Sequence, residues 1–143
     1  FNAPIPLLAG YQRRKGFVTD SFCCYRFAEG KEAGPDDAQA VVTELLRLHE
    51  RGYLRTDAKA ANFLISDTGV TFIDFRLKKA CLFPKLKKEM ELARLSRVYP
   101  ESRAHLPEKI RASGSFKLAT WLERRNIGLK AARRRIKRAF QSK

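Results

Sequence analysis

Two segments decide the fold: Leu54-Arg55-Thr56-Asp57-Ala58-Lys59-Ala60-Ala61-Asn62-Phe63-Leu64-Ile65, and Thr71-Phe72-Ile73-Asp74-Phe75. The first contains D-x-K-x-x-N within a short, polar, alanine-rich stretch, Arg55 to Asn62, that reads as a loop. Phe63-Leu64-Ile65 and Val70 to Phe75 read as strands, and Ser66-Asp67-Thr68-Gly69 between them as a turn, so a hairpin is expected. A loop bearing Asp57 and Asn62, beside a hairpin that returns Asp74, gathers three oxygen ligands in one place. Phosphoryl transfer uses such a set. One carboxylate orients the acceptor hydroxyl and takes its proton, while an amide and a second carboxylate hold magnesium against the phosphates. Magnesium favours hard oxygen donors and keeps waters in its remaining positions. Lys59 stands where its ammonium can meet a γ-phosphate. Singly, each residue has a plainer role: Asp57 a solvated turn residue, Asn62 a turn cap, Asp74 a strand-end acceptor, Lys59 an exposed lysine.

Upstream, Asp36 is a good N-cap with Gln39 three residues on, the capping-box spacing. Val41, Val42, Leu45, Leu46 and His49 then recur at helical spacing, so one helix face is buried. Gly52 suits the helix end. His49 on that face reads as packing or capping rather than catalysis. Ala28 to Pro35, with Gly30, Gly34 and Pro35, reads as a linker. Before it, Phe17-Val18 and Ser21 to Phe27 read as strands. The near-continuous apolar run there predicts a strand covered on both faces. Phe1 to Gly10, with Pro4 and Pro6, should be extended. Downstream, residues 85–98, 107–112, 116–125 and 127–141 read as helices, with Ser115 as the N-cap before Phe116.

The chain has 143 residues, enough for one domain, and 44% apolar residues, enough for a core. No apolar run approaches the roughly 18 residues of a membrane span. No signal peptide is visible, and the first residue is Phe1 rather than Met, so a preceding piece is expected. Cys23, Cys24 and Cys81 make no disulfide framework and no zinc pattern. They read as reduced, packed thiols of a cytosolic protein.

The net charge of +15 is unevenly placed. Residues 1–77 hold 10 basic and 10 acidic side chains, and residues 78–143 hold 20 basic and 5 acidic ones. The second part should seek an anionic partner: nucleic acid, an anionic membrane surface or a phosphorylated substrate. In residues 130–140, Ile136, Ala139 and Phe140 among arginines suit a helix lying at a membrane interface. A solvated basic tail is the plain alternative. RNA binding is another, with Trp121 and Phe140 in a basic stripe, but no RRM, KH or zinc-finger pattern accompanies it.

Leu48-His49-Glu50-Arg51-Gly52, then Thr56-Asp57 through Asn62-Phe63, then Val70-Thr71-Phe72-Ile73-Asp74, together resemble the C-lobe of the protein-kinase-like fold. More narrowly, they resemble the bacterial lipopolysaccharide core heptose kinases and their relatives acting on Kdo. That resemblance is strong over residues 45–80, moderate over 1–44 and weak beyond. It implies an α+β fold: a mostly helical C-lobe with a catalytic-loop β-hairpin and the last strands of an N-lobe. Residues 1–30 would be the end of the N-lobe and the hinge, and 31–143 the C-lobe with a basic helical tail. It further implies Asp57 as catalytic base, Lys59 as γ-phosphate contact, Asn62 and Asp74 as magnesium ligands, and Arg26, Phe27 and Ala28 where backbone groups meet adenine. ATP would be the donor and a heptose or Kdo sugar of the lipopolysaccharide inner core the acceptor. The protein would then work in the cytoplasm, peripheral on the inner membrane, with its basic half on the anionic surface.

The chain departs from that pattern in places. Arg55 and Thr56 precede Asp57 where His or Gly is usual, and Arg76 follows Phe75 where Gly is common. Residues 1–143 hold no glycine-rich loop, no strand lysine placed for the α- and β-phosphates and no helix glutamate to partner it. The expected explanation is the C-terminal part of a longer enzyme, inactive alone; the other is a truncated, inactive relative. Aminoglycoside or choline kinases share the D-x-x-x-x-N loop and remain an alternative, as do a pseudokinase and a basic nucleic-acid-binding module.

Overall fold

The apolar face of the helix after Gly34 and the apolar sides of the central hairpin meet in one core. The computed structural model describes residues 2–55, 58–73 and 77–141, without the side chains of 127 and 129–141. The elements are β1 (Pro6–Arg14), β2 (Phe17–Tyr25), β3 (Lys31–Glu32), α1 (Ala38–Glu50), β4 (Tyr53–Arg55), β5 (Phe63–Ser66), β6 (Gly69–Phe72), β7 (Leu77–Lys79), α2 (Pro84–Val98), α3 (Glu108–Arg111) and α4 (Gly114–Gln141). The strands form small antiparallel sheets ordered β1-β2, β3-β5-β6 and β4-β7. The fold is therefore α+β. Among the described residues no helix is long and apolar enough to cross a membrane.

The core is built from Val41, Val42, Leu45 and Leu48 of α1, Phe63 and Phe72 of the hairpin, Leu92 and Leu95 of α2, and Phe116 and Ala119 of α4. Phe63 and Phe72 face each other across β5 and β6 and meet edge to face, with centroids 5.4 Å apart. An aromatic pair of this kind stabilises a cross-strand contact beyond its buried area.

The helix after Gly34 begins with a single 3₁₀ turn, Pro35–Asp37, before α1 proper. Asp37 does the capping expected of Asp36: its Oδ2 accepts the Gly34 N–H at 2.9 Å. That hydrogen bond, then the charge of Lys31, holds the Asp37 carboxyl below the usual range against the opposing effect of burial. The Tyr99 hydroxyl donates to the Gly34 carbonyl from the other side. Gly52 ends α1 as expected, with φ +84° and its N–H on the His49 carbonyl at 3.0 Å.

Several expectations are corrected. Ala28 to Pro35 is not all linker, because Lys31–Glu32 pairs with Ile65 and Leu64 of β5. Gly30 makes that approach possible. Its φ is +144°, and a Cβ there would lie 2.8 Å from the Ile65 carbonyl oxygen. Tyr53–Arg55, at the mouth of the expected loop, is a strand paired with Leu77–Lys79. β1 runs on to Arg14 and turns into β2 through Lys15 and Gly16, both at positive φ, the two-residue turn that suits strand twist. The β1–β2 hairpin is exposed on both faces, not covered, with Phe17, Phe22 and Tyr25 all more than half exposed. Cys23, Cys24 and Cys81 are exposed rather than packed. The two expected C-terminal helices are one, α4, which runs through Gly128. A single glycine costs about 1 kcal/mol relative to alanine, too little to break a long helix. Its cap is Ser113, not Ser115: Ser113 Oγ accepts the Phe116 N–H at 3.0 Å and donates to Glu89 Oε1 at 3.0 Å.

Candidate functional site

Arg55 is the residue around which the candidate loop is organised. It ends β4, is 2% exposed, and its side chain lies under the β5–β6 hairpin. The guanidinium donates from Nη1 to the Asn62 carbonyl at 3.2 Å and from Nη2 to the Ile73 carbonyl at 2.5 Å. It also packs over the Phe63 and Phe72 rings, 4.7 and 5.3 Å from their centroids. A planar fork with several donors suits this double grip, which a lysine could not reproduce. The grip is closed by backbone, since the Ile73 N–H donates to the Asn62 carbonyl at 3.0 Å. The backbone just before Asp74 is thus fastened to Asn62.

The other end of Arg55 is held by α2. Its backbone N–H donates to both oxygens of Glu91, at 2.8 and 3.0 Å. Glu91 Oε2 also lies 2.9 Å from His49 Nε2, and a carboxylate only accepts, so Nε2 carries the hydrogen. All three residues are buried. A buried carboxylate is tolerated when donors satisfy it, and here α1 supplies one and β4 the other. His49 is the packing residue the sequence suggests. Glu91 was not singled out by any sequence pattern. Its signal is only retrospective: an acidic side chain on a helix otherwise rich in lysine and arginine, buried where it should be solvated.

Lys59 and Asn62 bracket a single 3₁₀ turn, Ala60–Asn62, in which the Asn62 N–H donates to the Lys59 carbonyl at 3.0 Å. Lys59 is exposed and Ala58 beside it is buried, which anchors the loop while its lysine faces out. Asp57 and Asp74 lie outside the described residues, as do Thr56, Phe75 and Arg76. Their neighbours Arg55, Ala58 and Ile73 are the ones held. Among the described residues no group of three or more His, Cys, Asp or Glu is placed to hold a metal ion. The donor set expected for magnesium, an amide oxygen from Asn62 and a carboxylate from Asp74, is chemically suited to it.

Arg26, Phe27 and Ala28 stand apart from that loop. They line a cleft of about 330 Å³ with Ala3, Pro4 and the hairpin turn at Ser66, Asp67 and Thr68. Phe27 is 86% exposed on its rim. The cleft sits at the turn end of β5 and Asn62 at the other end, about 10–13 Å away at strand rise. The segment that contributes Ala3 and Pro4 is tied to β6, because the Asn2 carbonyl accepts the Phe72 N–H at 2.9 Å. The structure therefore brings Arg26–Ala28 to the same hairpin as Asn62, at its opposite end. No family model, curated protein or solved structure matches the chain.

Proposed function

We propose that the chain is the C-lobe portion of a protein-kinase-like phosphotransferase that uses ATP and magnesium to phosphorylate a heptose or Kdo sugar of the lipopolysaccharide inner core. The support is one observation: Arg55 grips the carbonyls of Asn62 and Ile73 while its own N–H is held by Glu91. Arg55 and Asn62, which bracket the segment of Asp57, and Ile73, which precedes Asp74, are thereby tied to one frame, which supports the reading of a loop for phosphoryl transfer.

In this scheme Asp57 orients the acceptor hydroxyl and takes its proton. Lys59, exposed on its turn, reaches the γ-phosphate. Asn62 and Asp74 hold magnesium, which when bound neutralises charge on the phosphates. Arg26, Phe27 and Ala28 offer a wall and backbone groups to the adenine, and the rest of the nucleotide lies along β5 toward Asn62. The basic residues beyond 77 draw the protein to the anionic cytoplasmic face of the inner membrane, each contributing about 1 kcal/mol near the surface.

The test is phosphate transfer from ATP to dephosphorylated core saccharide by the native protein. Asp57→Asn should lower the rate about 10²–10⁴-fold, the contribution of a positioned general base. Full activity in Asp57→Asn would remove Asp57 from this role.

A further inference from the structure

A second cleft lies on the opposite flank of α2 from Glu91, where the first turns of α4 cross α2 and the segment 100–111. It has two adjoining parts whose linings share Arg103, Phe116, Thr120 and Arg124. The inner part, about 170 Å³, is lined by Glu123 and Ser96. The outer part, about 260 Å³, adds Arg111, Lys117 and Trp121.

The chemistry of the two parts differs. Glu123 is 5% exposed, and its Oε1 accepts from Arg94 Nε at 3.1 Å and Arg97 Nη2 at 3.2 Å. Its other oxygen, Oε2, and the Ser96 hydroxyl are buried with no hydrogen-bond partner among the described residues. A buried acceptor left without a donor is costly, and a ligand hydroxyl would relieve it. The mouth is cationic instead. Among the described residues Arg103, Arg111, Lys117 and Arg124 have no carboxylate at ion-pair distance. Four unpaired cations around one opening favour an anion, and arginine forks match phosphate or carboxylate oxygens. Beside them Trp121 is 52% exposed, with Arg125 5.3 Å from its ring centroid. An exposed indole at a polar cleft is a platform for a flat, amphipathic ring.

We propose that this cleft binds a phosphorylated sugar, free or as a lipid headgroup. The phosphate sits among Arg103, Arg111, Lys117 and Arg124, the ring packs on Trp121, and a hydroxyl donates to Glu123 Oε2. A bare anion would leave Glu123 and Ser96 unmatched, and a neutral sugar would leave the four cations unmatched. The site does not draw on phosphoryl transfer at Asp57, and either can fail alone.

Trp121 is the chain's single tryptophan, so its fluorescence reports on this cleft directly. Glucose 6-phosphate should change the emission saturably, with glucose at least about tenfold weaker, since losing one charge-assisted contact costs about that factor. Arg103→Ala/Arg124→Ala should weaken binding by about tenfold or more with an unchanged far-ultraviolet circular dichroism spectrum, both side chains being exposed. Where that variant is misfolded, Lys117→Glu, also exposed, gives the same comparison. Phosphatidylcholine vesicles carrying a phosphorylated glycolipid separate the sources. Capture beyond that on phosphatidylglycerol vesicles of equal charge, and lost in the folded variant, assigns the site to a headgroup; saturable binding of glucose 6-phosphate without such capture assigns it to a soluble ligand, and both sustain the proposal. It is overturned when neither a saturable change nor such headgroup-specific capture is seen, by equal binding in the folded variants, or by inorganic phosphate binding as tightly as glucose 6-phosphate.

Discussion

Replacing Arg55 with methionine keeps an unbranched apolar stem of about the length of arginine's chain to Nε and deletes the guanidinium. Among the described residues, the hydrogen bonds to the Asn62 and Ile73 carbonyls are lost. Bonds from a charged donor contribute roughly 1.5–3 kcal/mol each. The cation over Phe63 and Phe72 is desolvated, and its loss costs up to about 2 kcal/mol more. Against this, removing a buried charge returns several kcal/mol of desolvation, and methionine packs well against aromatic rings. The balance is a net loss of about 2–4 kcal/mol. In a chain of this size about 3 °C of melting temperature accompanies each kcal/mol, so the midpoint should fall by about 6–12 °C. Thermal melting followed by circular dichroism, with a urea titration at 25 °C, measures it. Arg55→Lys should recover less than half the loss, because it restores charge without the fork. A methionine variant melting within about 2 °C of the parent would show that Arg55 does not hold the loop to the hairpin.

Gly30→Ala forces a side chain onto φ +144° with its Cβ 2.8 Å from the Ile65 carbonyl oxygen. A loss of about 1–3 kcal/mol is expected in urea, and an unchanged midpoint would show that β3 is not clamped to β5 there. At Glu123, burial pushes the carboxyl up, but the hydrogen bonds and charge of Arg94, then Arg97, outweigh it and hold the group below its ordinary 4.5. A lowered folded value means that the stability from Glu123 is present above 4.5 and is lost as the pH falls through the folded value. Urea midpoints measured from about pH 7 to pH 3 should therefore fall more steeply in the parent than in Glu123→Gln, and parallel curves would refute the pairing. Both arginines are over a third exposed, which keeps the effect modest.

The β5–β6 hairpin and α1 were legible because their signals are local. Four turn residues separate two apolar runs, and Val41, Val42, Leu45, Leu46 and His49 repeat at helical spacing before a glycine, although Leu48 rather than the half-buried Leu46 completes the buried face. β3, β4 and β7 were not, because each is only two or three residues long and exists through pairing with a distant partner. Caps fell between. A capping side chain was rightly expected near residues 36 and 115, but Asp37 and Ser113 won because tertiary neighbours, Lys31 and Glu89, also bond to them. The run Ser21 to Phe27 marked a strand, which joins Phe17-Val18 in one element and ends at Tyr25, yet periodicity records which residues favour a strand and not what covers it. β1–β2 is bare on both sides.

At the candidate site the division is the same. Spacing alone named Lys59 and Asn62 and put a hairpin next to them, since loop and strand propensities act over a few residues. The partners that position them, Arg55 on the hairpin's carbonyls and Glu91 on the Arg55 N–H, came only from the tertiary structure. The sequence separations are 7, 18 and 36 residues, beyond the reach of local pattern. Charge divides likewise. Composition alone determined that residues 78–143 are strongly basic. Only the packing of α4 on α2 decided which cations are spent on Glu123 and which gather, unpaired, around Trp121. A formal charge belongs to a residue, whereas its availability depends on what the fold places within a few ångströms.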